Sequence, residues 1–529
     1  MKRLLTIVAI GLAPLFAASA QSDVDFAARI GGNQYYGTAR TLGMGNAVTA
    51  VGGDLGSIGI NPAGSAVFNY GQVEFSPGLS FANSATRFSL PSAGFSFCFN
   101  TGRSSGLRNI TFAFANNVSN NYLENFAGEN QEDGTSFFGN LAAAANGIPV
   151  SDLTAASPYD NPDLDWAVVS AWRAYMLGDV PDVDRAYIGG NEMLSRDGEG
   201  NSYHYVPGTL RQCSEVKRLG TKNDMVLNLG FNISDKFYFG FNLGIPVVRY
   251  QYREVYKESA LDPEQFPIGF KKADGSDFVA NFSNAQYGYS YSSTSVGVYG
   301  KVGVLWRPLN FLRVGAAIQT PTVYSISEGY SNSVSSLFTG AEGNIRGSAS
   351  SPDGSYDYKF RGPWCFNTGV AFTIGEWALL SADYEMTAYG KTRYSEKSAW
   401  NGEDYFKASN EALARLLGNA HALRLGAEVR PLPGFSVRAG YTLTGTPERV
   451  QPKFGWSASF GAGWSSSGSF FVDAAVRYNG FPTYTYYPYL YGDYAAVDKD
   501  NQPLKDASSP RLNVNRKLWD LVVTLGWRF

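Results

Sequence analysis

The sequence predicts an all-β protein: a transmembrane antiparallel β-barrel of about fourteen strands whose lumen holds an N-terminal plug, or hatch. Three observations lead there. No later stretch reaches the roughly 18 uninterrupted apolar residues that a membrane helix requires, so any membrane crossing has to be made by strands. The composition is aromatic and glycine-rich, with 33 Tyr, 35 Phe, 10 Trp and 59 Gly against 17% charged residues, as aromatic girdles and two-faced strands produce. The chain also ends in alternation, with Trp519, Leu521, Val523, Leu525, Trp527 and Phe529 on one face and Asp520, Val522, Thr524, Gly526 and Arg528 on the other. One face suits hydrocarbon and the other a polar lumen.

Residues 1–20 read as a secretory signal. Lys2 and Arg3 give a basic start, Leu4 to Phe16 an apolar run, and Ala18-Ser19-Ala20 a small-residue cleavage site. The run is too short for a membrane span. Residues 21–70 are expected to form the hatch. Their centre, GTARTLGMGNAVTAVGGDLGSIGINPAG over 37–64, is rich in glycine, has no aromatic residue and lacks the alternation seen elsewhere. Such backbone turns tightly and packs closely but cannot bury a core by itself, so it needs a container. A segment of roughly 50 residues is long enough to fill a fourteen-strand lumen. Pro62 fixes its own φ and restricts Asn61, whose side chain can satisfy backbone groups in a buried turn. The plainer alternative makes this pair the turn into the first strand. Gly43, Gly45, Asn61, Pro62, Ala63 and Gly64 are the candidate gating residues.

Residues 71–529 are assigned to the barrel. Alternation places strands near 72–82, 93–101, 108–117, 222–233, 236–250, 286–306, 311–329, 355–374, 376–394, 420–430, 434–444, 455–465, 469–480 and 514–529. The clearest hairpin joins Leu423 to Val429 with Phe435 to Tyr441 across Pro431-Leu432-Pro433-Gly434. Links after the second, fourth, sixth, eighth, tenth and twelfth strands are short and belong at the periplasmic end; the others are longer and belong outside. Lys301, Arg313, Arg424, Glu428, Arg438, Asp473 and Arg477 fall on inner faces, since charge is costly toward lipid. They could anchor the hatch or meet an anionic substrate, and anchoring is the expectation.

The link 118–221 is exceptional in length and is expected to be an ordered extracellular cap. Its Leu164 to Leu177 segment reads as a helix, and a second helical pattern covers Glu411 to Leu417 in the link 395–419. The link 481–513 carries YTYYPYLYGDY. Phe137, Phe138, Trp166, Trp172, Tyr484, Tyr486 and Tyr487 are the candidate residues of an apolar cleft.

Nothing in the chain points to catalysis. The two histidines, His204 and His421, have no partners at metal-ligand spacing. Cys98, Cys213 and Cys365 leave at least one thiol unpaired, with Cys98 and Cys365 on inward faces. There is no GxSxG, HExxH or phosphate-loop sequence. No metal and no cofactor are expected, and a net charge of −3 gives no basic footprint for nucleic acid.

The run GTAR, GMG, GGD and then Asn61-Pro62-Ala63, placed directly after a signal peptide, resembles the hatch of the FadL/TodX (OmpP1) family of outer-membrane transporters of hydrophobic compounds. The close match covers about 30 residues, and the rest follows only in pattern. The terminal Phe529 resembles the recognition signal of outer-membrane barrels. The resemblance implies fourteen strands, passive diffusion of a hydrophobic or amphipathic molecule such as a long-chain fatty acid, and lateral release into outer-membrane lipid through a kinked third strand. Ala113, Ala115 and Asn116 lie near where that kink belongs. Similar hatch-containing barrels serve as protein-binding shuttles in type IX secretion. The alternative is therefore a secretion component whose long loop binds a protein partner.

Overall fold

The computed structural model describes residues 23–82, 85–198, 200–272, 274–397, 405–450, 452–466, 469–489, 497–502 and 510–529; the expected signal segment lies outside them. Fourteen strands close into an antiparallel barrel. They are β1 (Gln72–Ala82), β2 (Ala85–Asn100), β3 (Leu107–Asn121), β4 (Thr209–Ile233), β5 (Phe237–Ala260), β6 (Asp277–Leu309), β7 (Leu312–Gln319), β8 (Trp364–Ile374), β9 (Ala378–Ala388), β10 (Asn419–Leu432), β11 (Phe435–Gly445), β12 (Phe454–Ser465), β13 (Phe470–Gly480) and β14 (Lys517–Arg528). β14 pairs with β1 from Trp519↔Phe81 to Arg528↔Gln72, which closes the wall. The Gly71 and Phe529 backbones exchange two hydrogen bonds, so both ends of the barrel lie on the short-turn side. Among the described residues no helix is long and apolar enough to cross a membrane.

The outer wall carries an apolar belt. In β5, Phe237, Phe239, Phe241 and Leu243 point out, joined by Val302, Val304 and Trp306 of β6 and Trp519, Leu521 and Trp527 of β14. This is the surface a bilayer covers. Above the belt the polarity reverses. β5 then turns Tyr250 and Tyr256 inward and Arg249, Gln251 and Arg253 outward. Several strands consequently run well past the expected limits: β4 begins at Thr209 rather than 222, β5 continues to Ala260 rather than 250, and β6 begins at Asp277 rather than 286. β7 continues as Val323–Gly340, β8 is preceded by Gly354–Arg361, and β9 is followed by Arg393–Glu396.

Two expected links need correction. β2 begins at Ala85 rather than 93, so the first link shrinks to 83–84. The link 118–221 shrinks to 134–208, because Glu124–Asp133 continues β3 along β4. The remaining excursion is an ordered cap whose core contains Phe138, Leu141, Val168, Val169 and Tyr187 packed on Phe282 and Phe338 of the extended wall. Its helix Trp166–Arg173 lies within the expected 164–177. The helix expected at 411–417 runs Lys407–Leu416.

Candidate functional site: the hatch and its seat

Residues 23–68, most of them buried, lie inside the wall. At their centre Asn61 caps the 3-10 helix Pro62–Val67, its Oδ1 accepting from the Ala63 amide. Its Nδ2 donates to the Thr49 carbonyl at 2.7 Å and the Val304 carbonyl of β6 at 3.1 Å. This one amide ties two hatch segments to the wall. The pair is not the turn into β1, which starts ten residues further on.

The hatch backbone sits directly on glycines of the wall. A methyl group on Gly240 would overlap Pro62, one on Gly303 would overlap Asn61, and one on Gly315 would overlap Thr49. Gly426 and Gly440 likewise receive Met44 and Gly45, and Gly461 lies against Gly43. The Gly43 and Gly45 contacts work from both sides, because a Cβ on Gly45 would stand 2.9 Å from the Tyr441 nitrogen. Gly64 packs on Gly52 and Ser57 inside the hatch, and Ala63 is buried against Tyr238 and Leu305. The inward glycines were not singled out by sequence reasoning. Their signal was one inward glycine per strand over much of the wall, at one level.

Between the glycines, wall side chains donate to hatch carbonyls. Lys301 reaches Gly59, Arg313 reaches Val51, Ser381 reaches Ala47, Thr442 reaches Gly45 and Ser459 reaches Gly43. Each of these buried carbonyls thereby has a partner in the wall. Glu428 lies between Arg40 of the hatch at 3.1 Å and Arg438 and Arg430 of the barrel, both at 2.8 Å. Arg438 continues to Asp473. Arg424 pairs with Glu385 at 3.2 Å and lies over the Tyr35 ring, while Arg477 pairs with Asp520 at 3.1 Å and donates to the Tyr35 carbonyl. The predicted lumen charges thus converge on the hatch or on one another.

β3 leaves the wall beside this plug. It pairs with β2 only from Asn109↔Asn100 to Asn117↔Ser92. Residues 85–89 of β2 pair with β1 alone. Past Asn117 the β3 backbone pairs with the hatch: the Gln34 amide donates to Ser119 O at 2.8 Å and the Tyr36 amide to Val118 O at 2.9 Å. The Asn121 amide group reaches Ser80 on the inner face of β1, so β3 tilts into the lumen. Arg87 bridges the parted wall to the Gly220 carbonyl. Ala113 and Ala115 lie just below, buried against Leu55 and Ile58.

Above the glycine seat an aromatic chamber of the wall is filled by the first helix of the hatch. Tyr250, Tyr324, Phe360, Tyr389, Tyr394 and Phe406 surround Val24, Ala27 and Ile30 of the helix 23–31. Of the predicted cleft residues, Phe137 and Phe138 belong to the core of the cap, with Trp172 packed against that core. Trp166 packs against the Tyr330 ring at a tilt. Tyr484 bonds Glu124 and Arg218, Tyr486 bonds Glu254, and Tyr487 is exposed. His421 contacts Tyr384 on the outer wall, His204 lies in the small hairpin 193–205, and all three cysteines are free thiols. Among the described residues no cluster could hold a metal ion.

No protein-family model and no curated protein sequence matches the chain. Solved structures similar to it in fold include three channels or transporters. The CymD monoaromatic hydrocarbon channel is 12% identical, with 94% of this chain and 98% of that chain covered at a TM-score of 0.46. The toluene transporter TodX of P. putida is 10% identical, with 94% and 99% covered at 0.47. A FadL homologue of Pseudomonas aeruginosa is 12% identical, with 94% and 98% covered at 0.47.

Proposed function

We propose that this barrel is a passive outer-membrane conduit for hydrophobic or amphipathic molecules, with long-chain fatty acids among its substrates. The molecule enters the aromatic chamber, is stopped by the hatch and leaves sideways where β2 and β3 part. The observation that carries this reading is the pairing of hatch residues 34–36 with the inturned end of β3, which makes hatch position and wall opening one structural variable. An apolar solute in the chamber exchanges contacts with Val24, Ala27 and Ile30 for its own, so entry exposes little apolar surface to water. Its favourable destination is the bilayer beyond β2, where Phe88 is exposed. No energy source is needed for that downhill step.

The test is a reversible lock. In a background with the native cysteines replaced by serine, Gln34→Cys and Ser119→Cys tie the hatch to β3. Oxidation is expected to abolish uptake of labelled long-chain fatty acid in cells lacking their own transporter, and reduction to restore it. Equal uptake in the locked and unlocked states, with the disulfide confirmed, overturns the reading.

A further inference from the structure

Arg87 is the single charged residue among the 16 of β2, and it stands where the wall parts. The register between β1 and β2 shifts between Ser76 and Gly78, where a Cβ on Gly78 would lie 2.8 Å from the Pro91 ring. Pro91 has no amide hydrogen to offer a neighbouring strand. Pairing of β2 with β3 ends one residue below it, at Ser92↔Asn117. Above that level residues 85–89 keep β1 as partner and have no strand along their other edge. Arg87 lies opposite Ser80, whose side chain is buried on the inner face, so the guanidinium starts from that face. It extends across the place β3 has vacated and donates to the Gly220 carbonyl of β4 at 2.5 Å.

That carbonyl is neutral and already accepts from the Tyr122 amide at 3.1 Å. Among the described residues Arg87 forms no ion pair. Asp520, bonded by Ser80, is committed to Arg477 at 3.1 Å and to Asn479 at 2.7 Å. A guanidinium carries five donors in a planar fork that fits a carboxylate through two parallel bonds. Here a single carbonyl takes one bond, within a wall where charge is costly. Hydrocarbon flanks the same gap. Ala85 packs on a cluster of Ala82, Val118, Leu123 and Leu518, and Phe88 faces the belt, exposed.

We propose that Arg87 reads the head group of the departing molecule: an ionised carboxylate displaces the Gly220 carbonyl and takes two bonds from the guanidinium, while its chain passes Phe88 into the bilayer. Crossing the wall is the step at which an ionised head group is most expensively desolvated, and Arg87 supplies the opposite charge there. The Gly220 carbonyl keeps the Tyr122 amide, so the exchange leaves no buried acceptor unpaired. Arg87 is thus a specificity-determining residue that favours acids over neutral molecules of the same chain length. The inference rests on the lateral exit proposed above and adds what that exit distinguishes.

The experiment compares uptake of labelled palmitate and labelled 1-hexadecanol, one chain with two head groups. The cells lack their own transporter and express the full-length barrel or a variant at equal surface level, each confirmed as folded by its heat-modifiable gel mobility. Arg87→Gln is expected to lower palmitate uptake about tenfold, the scale of a hydrogen bond to a charged group, and to leave hexadecanol uptake unchanged. Arg87→Lys keeps the charge and loses the fork, and its palmitate uptake is expected to fall between the two. A change of both solutes by the same factor makes Arg87 a structural tie only and overturns the inference. Unchanged palmitate uptake in Arg87→Gln overturns it too. Uptake of hexadecanol alone by the unaltered barrel sinks this inference and spares the conduit reading; uptake of neither sinks both.

Discussion

Gly45 of the hatch and Gly440 of β11 touch backbone to backbone, so closely that a methyl group on Gly440 would overlap the Gly45 amide nitrogen. The side chain on neither residue can be enlarged without moving a main chain, because the opposing atoms are backbone and cannot rotate away.

Gly440→Ala is therefore expected to unseat the hatch while leaving the outer wall intact. Single-channel recording in planar bilayers should show new or enlarged ionic conductance. Gly300→Ala, outward and unopposed, should leave the trace unchanged.

Asn61→Ala removes donors to the Thr49 and Val304 carbonyls and the cap on Ala63. Each buried group left unpaired costs about 1–3 kcal/mol. Hydrogen exchange over residues 49–67 should accelerate by at least tenfold, while the wall strands stay protected. Equal protection in the variant would show that the amide is dispensable.

Glu428→Gln leaves Arg40, Arg438 and Arg430 around a neutral amide. Breaking a buried ion pair from one side costs about 3–5 kcal/mol, so the temperature at which the folded band disappears on gels should fall. Arg430→Gln, at a side chain that is itself more than half exposed, should have a small effect.

The cap is expected to loosen as pH rises. Glu192 accepts from the Gly189 amide, and packing, with Glu258 nearby, raises its carboxyl to about 7. The folded cap thus prefers the protonated acid. That preference is fully present below the ordinary value of 4.5 and is lost as pH rises through 7. Limited proteolysis of 134–208 should be slower at pH 5 than at pH 8, and Glu192→Gln should flatten the difference.

The lower barrel was legible because its physics is simple. Leu423, Leu425 and Val429 face lipid while Arg424 and Glu428 face the lumen, so hydropathy alternates in phase with the pleat. β10 to β13 therefore stand within two residues of expectation. Above the belt the signal inverts: Tyr250 and Tyr256 go in while Arg249 and Arg253 go out, and a rule that sends aromatics outward loses the strand. That is why the ends of β4, β5 and β6 were missed. The glycine-rich, aromatic-free character of residues 37–64 was plain from composition alone. The glycine seat was not, since a glycine looks alike whether it makes a turn or receives another backbone. The departure of β3 is set by its exchange of β2 for residues 34–36 as partner, a tertiary choice with no local residue signature.

The seam between β14 and β1 is fastened to the plug as well as to itself. The Ala39 amide bonds Thr524 of β14, and Thr524 bonds Ser76 of β1. The first segment of the chain is thereby gripped by its last strand. Biogenesis inherits an order from this: the hatch has to be resident before the final strand zips shut, because a lumen already closed gives no route by which so tightly fitted a backbone could be threaded in. The barrel is in this sense cast around its plug, and a chain whose N-terminal segment arrives late should accumulate as an unsealed assembly intermediate rather than as an empty pore.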